Sequence, residues 1–200
     1  SGCPPRRRGL KSALDAGLGT VLWLRARMKL ADLVREAGVV GAGGGGFPTH
    51  VKLSAHADTV IVNGAECEPL LHKDAVLMER AADQVVAGLQ LAMEAVGART
   101  GVVGVKAKKH DAIDAIEAAS KSTSIRVHLL GDYYPAGDEY DLVYSVTGRL
   151  IPPGGIPIQV GVVVMNVETA ANVAAAAEGR PVTQKVLTVA GAVREPATLS

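Results

Sequence analysis

An α/β domain, with a mainly parallel sheet and helices on both faces, is predicted by three features of this sequence. From residue 59 onward, short β-branched runs alternate with longer amphipathic stretches, the rhythm of repeated strand–helix–strand units. Apolar residues make up 48% of the chain but aromatics only 3%, so the core must be built from Val, Ala, Leu and Ile. The glycine-rich and acidic segments fall at strand exits and helix starts, where open parallel sheets place their ligand sites. A length of 200 residues suits one such domain, and the expected fold is Rossmann-like.

Residues 1 to 27 stand apart, with six Lys/Arg against the single acid Asp15. An amphipathic helical pattern replaces this leader after Met28, so 1–27 is read as an upstream extension that should be poorly ordered, and 28–185 as the folded domain. Arg6, Arg7 and Arg8 precede the apolar stretch SALDAGLGTVLWL, but no small-x-small cleavage site follows. No apolar run reaches the ~20 residues of a membrane span. Strands are expected at Thr59 to Asn63, Gly101 to Lys106, Ile125 to Leu129 and Val160 to Met165, each short and β-branched. Helices are expected between them: about Asp74 to Val96, with Asp74 as N-cap and Gly97 as stop, then Lys109 to Ser120, Glu139 to Val146 and Val167 to Ala177. Val186 to Val193 reads as a further strand, the start of a truncated, β-rich following domain at 186–200.

Charge and cysteine usage exclude several classes of function. Residues 28 to 200 carry fifteen Lys/Arg against nineteen Asp/Glu, a mildly acidic body with few aromatics to stack on bases, so nucleic acid is not an expected partner. Cys3 and Cys67 lie far apart in unlike contexts, which suits a reducing, cytoplasmic setting better than a disulfide framework.

Four segments could carry chemistry. Gly41 to His50, GAGGGGFPTH, exposes backbone N–H groups, and a helix beginning at Pro48 would aim its positive end at a phosphate; a flexible linker is the bland alternative. It departs from the dinucleotide fingerprint, because the glycines precede the first strand instead of following it. Asn63 to Pro69, NGAECEP, places Glu66 and Glu68 at a strand end, where carboxylates can accept hydrogen bonds from ribose or amide groups or simply be solvated. Cys67 between them reads as a small buried residue. Asp132 to Tyr144 offers Tyr133 and Tyr134, then Asp138 and Glu139 at a helix start, where acids serve equally as caps; the following TGRLIPPGGIP reads as a rigid connector. Met165 to Val173 opens a helix with Asn166 at the cap. All four segments occupy the same kind of place in one α/β pattern, which puts their polar groups around a single crevice suited to a nucleotide or flavin.

The segments GAGGGGFPTHVKL, NGAECEPLLHKDAVLM, YPAGDEYDLVY, TGRLIPPGGIP and VMNVETAANV, in this order, resemble the family that includes the propanediol-utilisation cobalamin reductase and the Rnf complex C subunit. More distantly they are similar to the FMN- and NADH-binding subunit of respiratory complex I. The resemblance spans about Ala31 to Leu199. It implies that Gly41, Gly43, Gly44 and Phe47 contact FMN and NADH, that Lys52 contacts FMN, that Asn63 and Glu66 line the flavin pocket, and that Glu68 faces the nicotinamide nucleotide. It further implies that Tyr134, Gly137, Asp138 and Glu139 serve the FMN and NADH site, and Asn166 and Thr169 the flavin phosphate. Ala65 and Met165 depart from the complex I pattern, which has an acid and a second asparagine there. The activity implied is hydride transfer from NADH to FMN, then one-electron exit to 4Fe–4S clusters held by a downstream domain or partner, since two isolated cysteines cannot hold one. A cobalamin-dependent enzyme system is the partner implied by the reductase branch, with a bacterial microcompartment as its setting. The alternatives are an Rnf-type complex at the inner-membrane periphery and a truncated docking module without catalysis.

Overall fold

The computed structural model describes residues 29–199; the expected leader at 1–27 and the expected start at Met28 lie outside them. Helix α1 (Leu30–Glu36) buries Val34, and Gly38 at φ +72 turns the chain out of it. The glycine loop follows, pinched at its base by the Gly41 N–H donating to the Phe47 carbonyl at 2.8 Å and by an isolated bridge between Val40 and Pro48. Helix α2 (Thr49–Leu53) starts one residue later than expected and is barely more than one turn long.

The central sheet comprises β1 (Thr59–Gly64), β2 (Thr100–Lys106), β3 (Ile125–Leu130) and β4 (Val162–Asn166) in the order β3-β2-β1-β4, all parallel. Strand β4 begins after Val160, which belongs to a short 3-10 turn (Pro157–Val160) that Gly161 closes at φ +74. The helices between strands are α3 (Lys73–Val96), broken at Ala81 and stopped by Gly97, α4 (His110–Ser120), α5 (Glu139–Thr147) and α6 (Val167–Ala177).

Strand periodicity divides the core between two faces. Val60, Val62, Val103, Val105, Val163 and Met165 pack against α1, α3, α4 and α6, whereas Ile61, Val102, Val162 and Val164 face Leu142 and Val143 of α5 and Ile151 of the proline-rich connector. Helices therefore cover both faces, as the alternating sequence predicts. The chain passes from edge strand β3 across the sheet to β4, so its winding direction reverses between β1 and β4. In this register Asn63 lies beside Asn166, both at the carboxyl ends of their strands.

Beyond α6 the expected strand Val186 to Val193 is shorter than its apolar content suggests. Only β5 (Leu187–Val189) is extended; it pairs antiparallel with β6 (Ala197–Leu199), and Gly191 at φ +94 turns the chain between them. Among the described residues no helix is long and apolar enough to cross a membrane.

Candidate functional site

An open cleft of about 690 Å³ lies at the carboxyl ends of β1 and β4, within the ~300–1,000 Å³ range of small-molecule sites. Its position is the switch point of the sheet, where diverging connections leave a crevice. All fourteen residues singled out from the sequence line it: Gly41, Gly43, Gly44, Phe47, Lys52, Asn63, Glu66, Glu68, Tyr134, Gly137, Asp138, Glu139, Asn166 and Thr169.

The glycine loop forms one wall. Ala42 N–H donates to the Thr169 hydroxyl at 2.9 Å, which ties the loop to the first turn of α6. A Cβ on Gly44, Gly45 or Gly46 would meet nothing within 4 Å, whereas one on Gly43 would touch the Asn166 side chain at 3.5 Å. The helix expected to aim at this loop from Pro48 is too short to present a strong dipole; the longer α3 and α6 start at the cleft instead. Lys52 spans the floor, donating to the Val164 carbonyl at 2.7 Å, with Glu139 Oε1 at 3.7 Å and the Phe47 ring centroid at 5.6 Å.

On the opposite side, Asn63 donates to the Gly137 carbonyl at 2.8 Å and so fastens the β1 exit to the turn before α5. A Cβ on Gly137 would collide with the Ala65 carbonyl, so only glycine permits this approach. Cys67, expected to be buried, is partly exposed in the cleft wall, and its Sγ accepts the Gly137 N–H at 3.1 Å. Asp138 caps α5 by accepting the Tyr140 N–H at 2.9 Å, as one reading of that acid expects, and it also lines the cleft. Asp132 and Tyr133 lie outside the lining, Asp132 being paired with Lys108 at 2.7 Å.

The start of α3 differs from expectation. Asp74 is not its cap: Glu66 Oε1 reaches across to accept the Asp74 N–H at 3.0 Å, and the Asp74 side chain is buried, held by Lys73 at 2.6 Å and by the Asn166 amide at 2.7 Å. Asn166 in turn caps α6 by accepting the Glu168 N–H at 3.0 Å. Lys73, Asp74, Thr49 and Cys67 also line the site; Thr49 and Cys67 lie within two of the segments singled out from the sequence, whereas the place of Lys73 and Asp74 depends on which helix starts meet at the sheet end.

Burial pushes the Glu66 carboxyl above the usual glutamate range, the Asp74 charge adding to it and backbone N–H groups opposing it. Its Oε2 is buried without a protein partner. Burial likewise pushes Asp74 up, against the opposing pull of Lys73 and Asn166. A raised native pKa means the folded chain keeps a proton that the unfolded chain has released, so stability falls as pH rises from the ordinary glutamate value through the raised one. Glu66→Gln removes that slope. The variant's Tm relative to the parent should therefore rise between about pH 4 and pH 8; parallel pH curves for the two proteins would contradict the assignment.

Residues 34–175 match the model of the Nuo51 FMN-binding domain. The chain belongs to this family. Cobalamin reductase PduS of Citrobacter freundii is 50% identical over 86% of the chain and 38% of its own length. The C subunit of the Na+-translocating ferredoxin:NAD+ oxidoreductase complex of Acetobacterium woodii is 45% identical over 85% of the chain and 40% of its length. The chain therefore spans about two fifths of the length of these two relatives. Among solved structures, an NAD+-reducing [NiFe]-hydrogenase in the H2-reduced state superposes with a TM-score of 0.74 at 29% identity, over 84% of this chain and 36% of that one. The family match and the parallel topology agree with the resemblance carried by the five sequence segments.

Proposed function

We propose that this chain is an FMN-binding module that takes electrons from NADH and passes them toward iron–sulfur clusters, in a protein of the cobalamin-reductase type. The observation that carries the reading is the convergence of the four segments on one cleft at the β1/β4 switch point. The residues present fit a flavin nucleotide: a glycine wall without side chains to block a flat ring, a lysine on the floor, and a buried carboxyl oxygen in Glu66 that lacks a partner and would gain one from a ring N–H. Gly41, Gly43, Gly44, Lys52, Asn63, Glu66, Asn166 and Thr169 would hold FMN. Phe47, Glu68, Tyr134, Gly137, Asp138 and Glu139 would position the nicotinamide nucleotide beside it. An adenine ribose placed beside Glu68 or Glu139 would bring a 2′-phosphate against like charge, which supports NADH over NADPH.

Bound FMN would accept hydride from NADH and release electrons singly. The chain's own contribution is positional: Lys52 is fixed by the Val164 carbonyl, Asn63 by the Gly137 carbonyl and Asn166 by Asp74, so none needs to reorganise when a ligand enters. Cys67 is the one cysteine among the described residues, so 4Fe–4S clusters would belong to a downstream domain or partner. Identity of 50% with the reductase against 45% with the ion-translocating relative supports the cobalamin branch.

The test is to load the chain with FMN, remove the excess, and record the visible spectrum during an anaerobic NADH titration. Retained flavin colour that bleaches with NADH is the expected result. A folded chain that retains no flavin would overturn the reading in favour of a docking module, and retained flavin indifferent to NADH would overturn the electron source.

A further inference from the structure

Glu168, which the cleft lining does not include, is a buried acid at the start of α6 with partners on two sides. On the cleft side its Oε2 lies 3.5 Å from the Lys73 ammonium, which is itself shared with Asp74 at 2.6 Å and the Asn166 carbonyl oxygen at 3.5 Å. On the other side the same Oε2 accepts from Lys185 at 2.8 Å, and Oε1 accepts the Val186 backbone N–H at 3.0 Å. Two residues further on, the Thr188 hydroxyl accepts the His72 N–H at 3.2 Å and pairs with Thr198 across the hairpin at 3.2 Å. One acid thus holds a cleft-wall cation and the root of the β5–β6 hairpin together.

We propose that Glu168 is a positioning residue that couples occupancy of the cleft to docking of the chain at Lys185–Val186. The coupling has a definite sign. An anionic group entering the cleft draws Lys73 away from Glu168, and a carboxylate with only 5% of its side chain exposed then depends on Lys185 as its remaining cation. Docking at Lys185 tightens. By thermodynamic reciprocity, Lys185 seated on Glu168 loosens the hold on Lys73 and makes that ammonium available to the ligand, so each event favours the other. For an electron-carrying module the consequence is mechanical: the segment following α6 is held in fixed register with the cleft when the cleft is filled.

The inference rests on FMN being the ligand, and the experiment separates the two. Amide hydrogen exchange of residues 186–199 is measured on the parent chain, Lys185→Met, Lys185→Arg and Glu168→Gln, with and without FMN, alongside FMN affinity. Without FMN, Glu168→Gln and Lys185→Met should both speed exchange at Val186 and along the hairpin, while Lys185→Arg, which keeps a cation, should not. With FMN, the parent hairpin should be protected by about fivefold, and Lys185→Met should weaken FMN binding by a similar factor although Lys185 is not in the cleft. A merely structural role for Lys185 would leave FMN affinity unchanged. Unaltered hairpin exchange in ligand-free Glu168→Gln overturns the clasp; parent-like FMN affinity in Lys185→Met overturns the coupling. A parent chain that binds no FMN overturns the functional reading and the coupling with it, while faster exchange in Glu168→Gln would still support the clasp.

Discussion

Gly88→Ala should lower the stability of this chain by about 3 kcal/mol, a fall in Tm of about 8 °C. Gly88 sits in the middle of α3, where alanine would ordinarily stabilise a helix by roughly 0.5–1 kcal/mol. Here a Cβ would collide with the carbonyl oxygen and carbon of Ala170 in α6. The obstacle is backbone, so no rotamer change relieves it and the two helices must separate. Their facing residues, among them Leu89, Ala92 and Val173, belong to the larger core cluster, and parting them loosens several buried contacts at once. Because the clash is with main-chain atoms, Ala170→Gly should not rescue the variant. Thermal unfolding of the single and double variants checks this; a Gly88→Ala protein as stable as the parent would show that α3 and α6 do not pack this closely.

Asn166→Asp should cost about 2–3 kcal/mol near neutral pH and much less in mild acid. Aspartate caps a helix as well as asparagine, so the bond from the Glu168 N–H survives. The substitution removes instead the amide donor that serves buried Asp74 at 2.7 Å and sets two carboxyl oxygens face to face. Such a pair retains a proton, raising the native pKa, so the folded variant binds more protons than the unfolded chain and its deficit shrinks as pH falls. Burial already pushes Asp74 in that direction in the parent. The difference in denaturant midpoint between variant and parent should widen from about pH 5 to pH 8. A deficit independent of pH would mean that the lost stability comes from the cap or from packing instead. Because Asn166 also lines the cleft, FMN retention should fall in the same variant.

Much of the site was legible in the sequence because its signals are local. Glycine runs, a strand end followed by paired acids, and an asparagine opening a helix each describe backbone geometry within a few residues, and one α/β rhythm places them all at the same end of a sheet. Sequence and structure part where a neighbour distant along the chain decides the outcome. Asp74 looks like a cap because an acid at a helix start usually is one, yet Glu66 supplies the acceptor and Asp74 turns inward to Asn166. Cys67 looks like core because small thiols usually are, but it lines the cleft wall opposite Gly137. The strand after α6 looks continuous because valines recur there, while Gly191 bends it into a hairpin.

Side-chain periodicity carried the class of fold and the bounds of most elements to within a residue or two, and the resemblance of five short segments carried the family. The strand order β3-β2-β1-β4, which sets Asn63 beside Asn166, the approach of α3 to α6 over Gly88, and the sharing of Glu168 between Lys73 and Lys185 emerge in the folded chain alone. Buried polar and close-packed groups find partners by proximity in space. That proximity is set by how the elements cross, and no local pattern encodes the crossing.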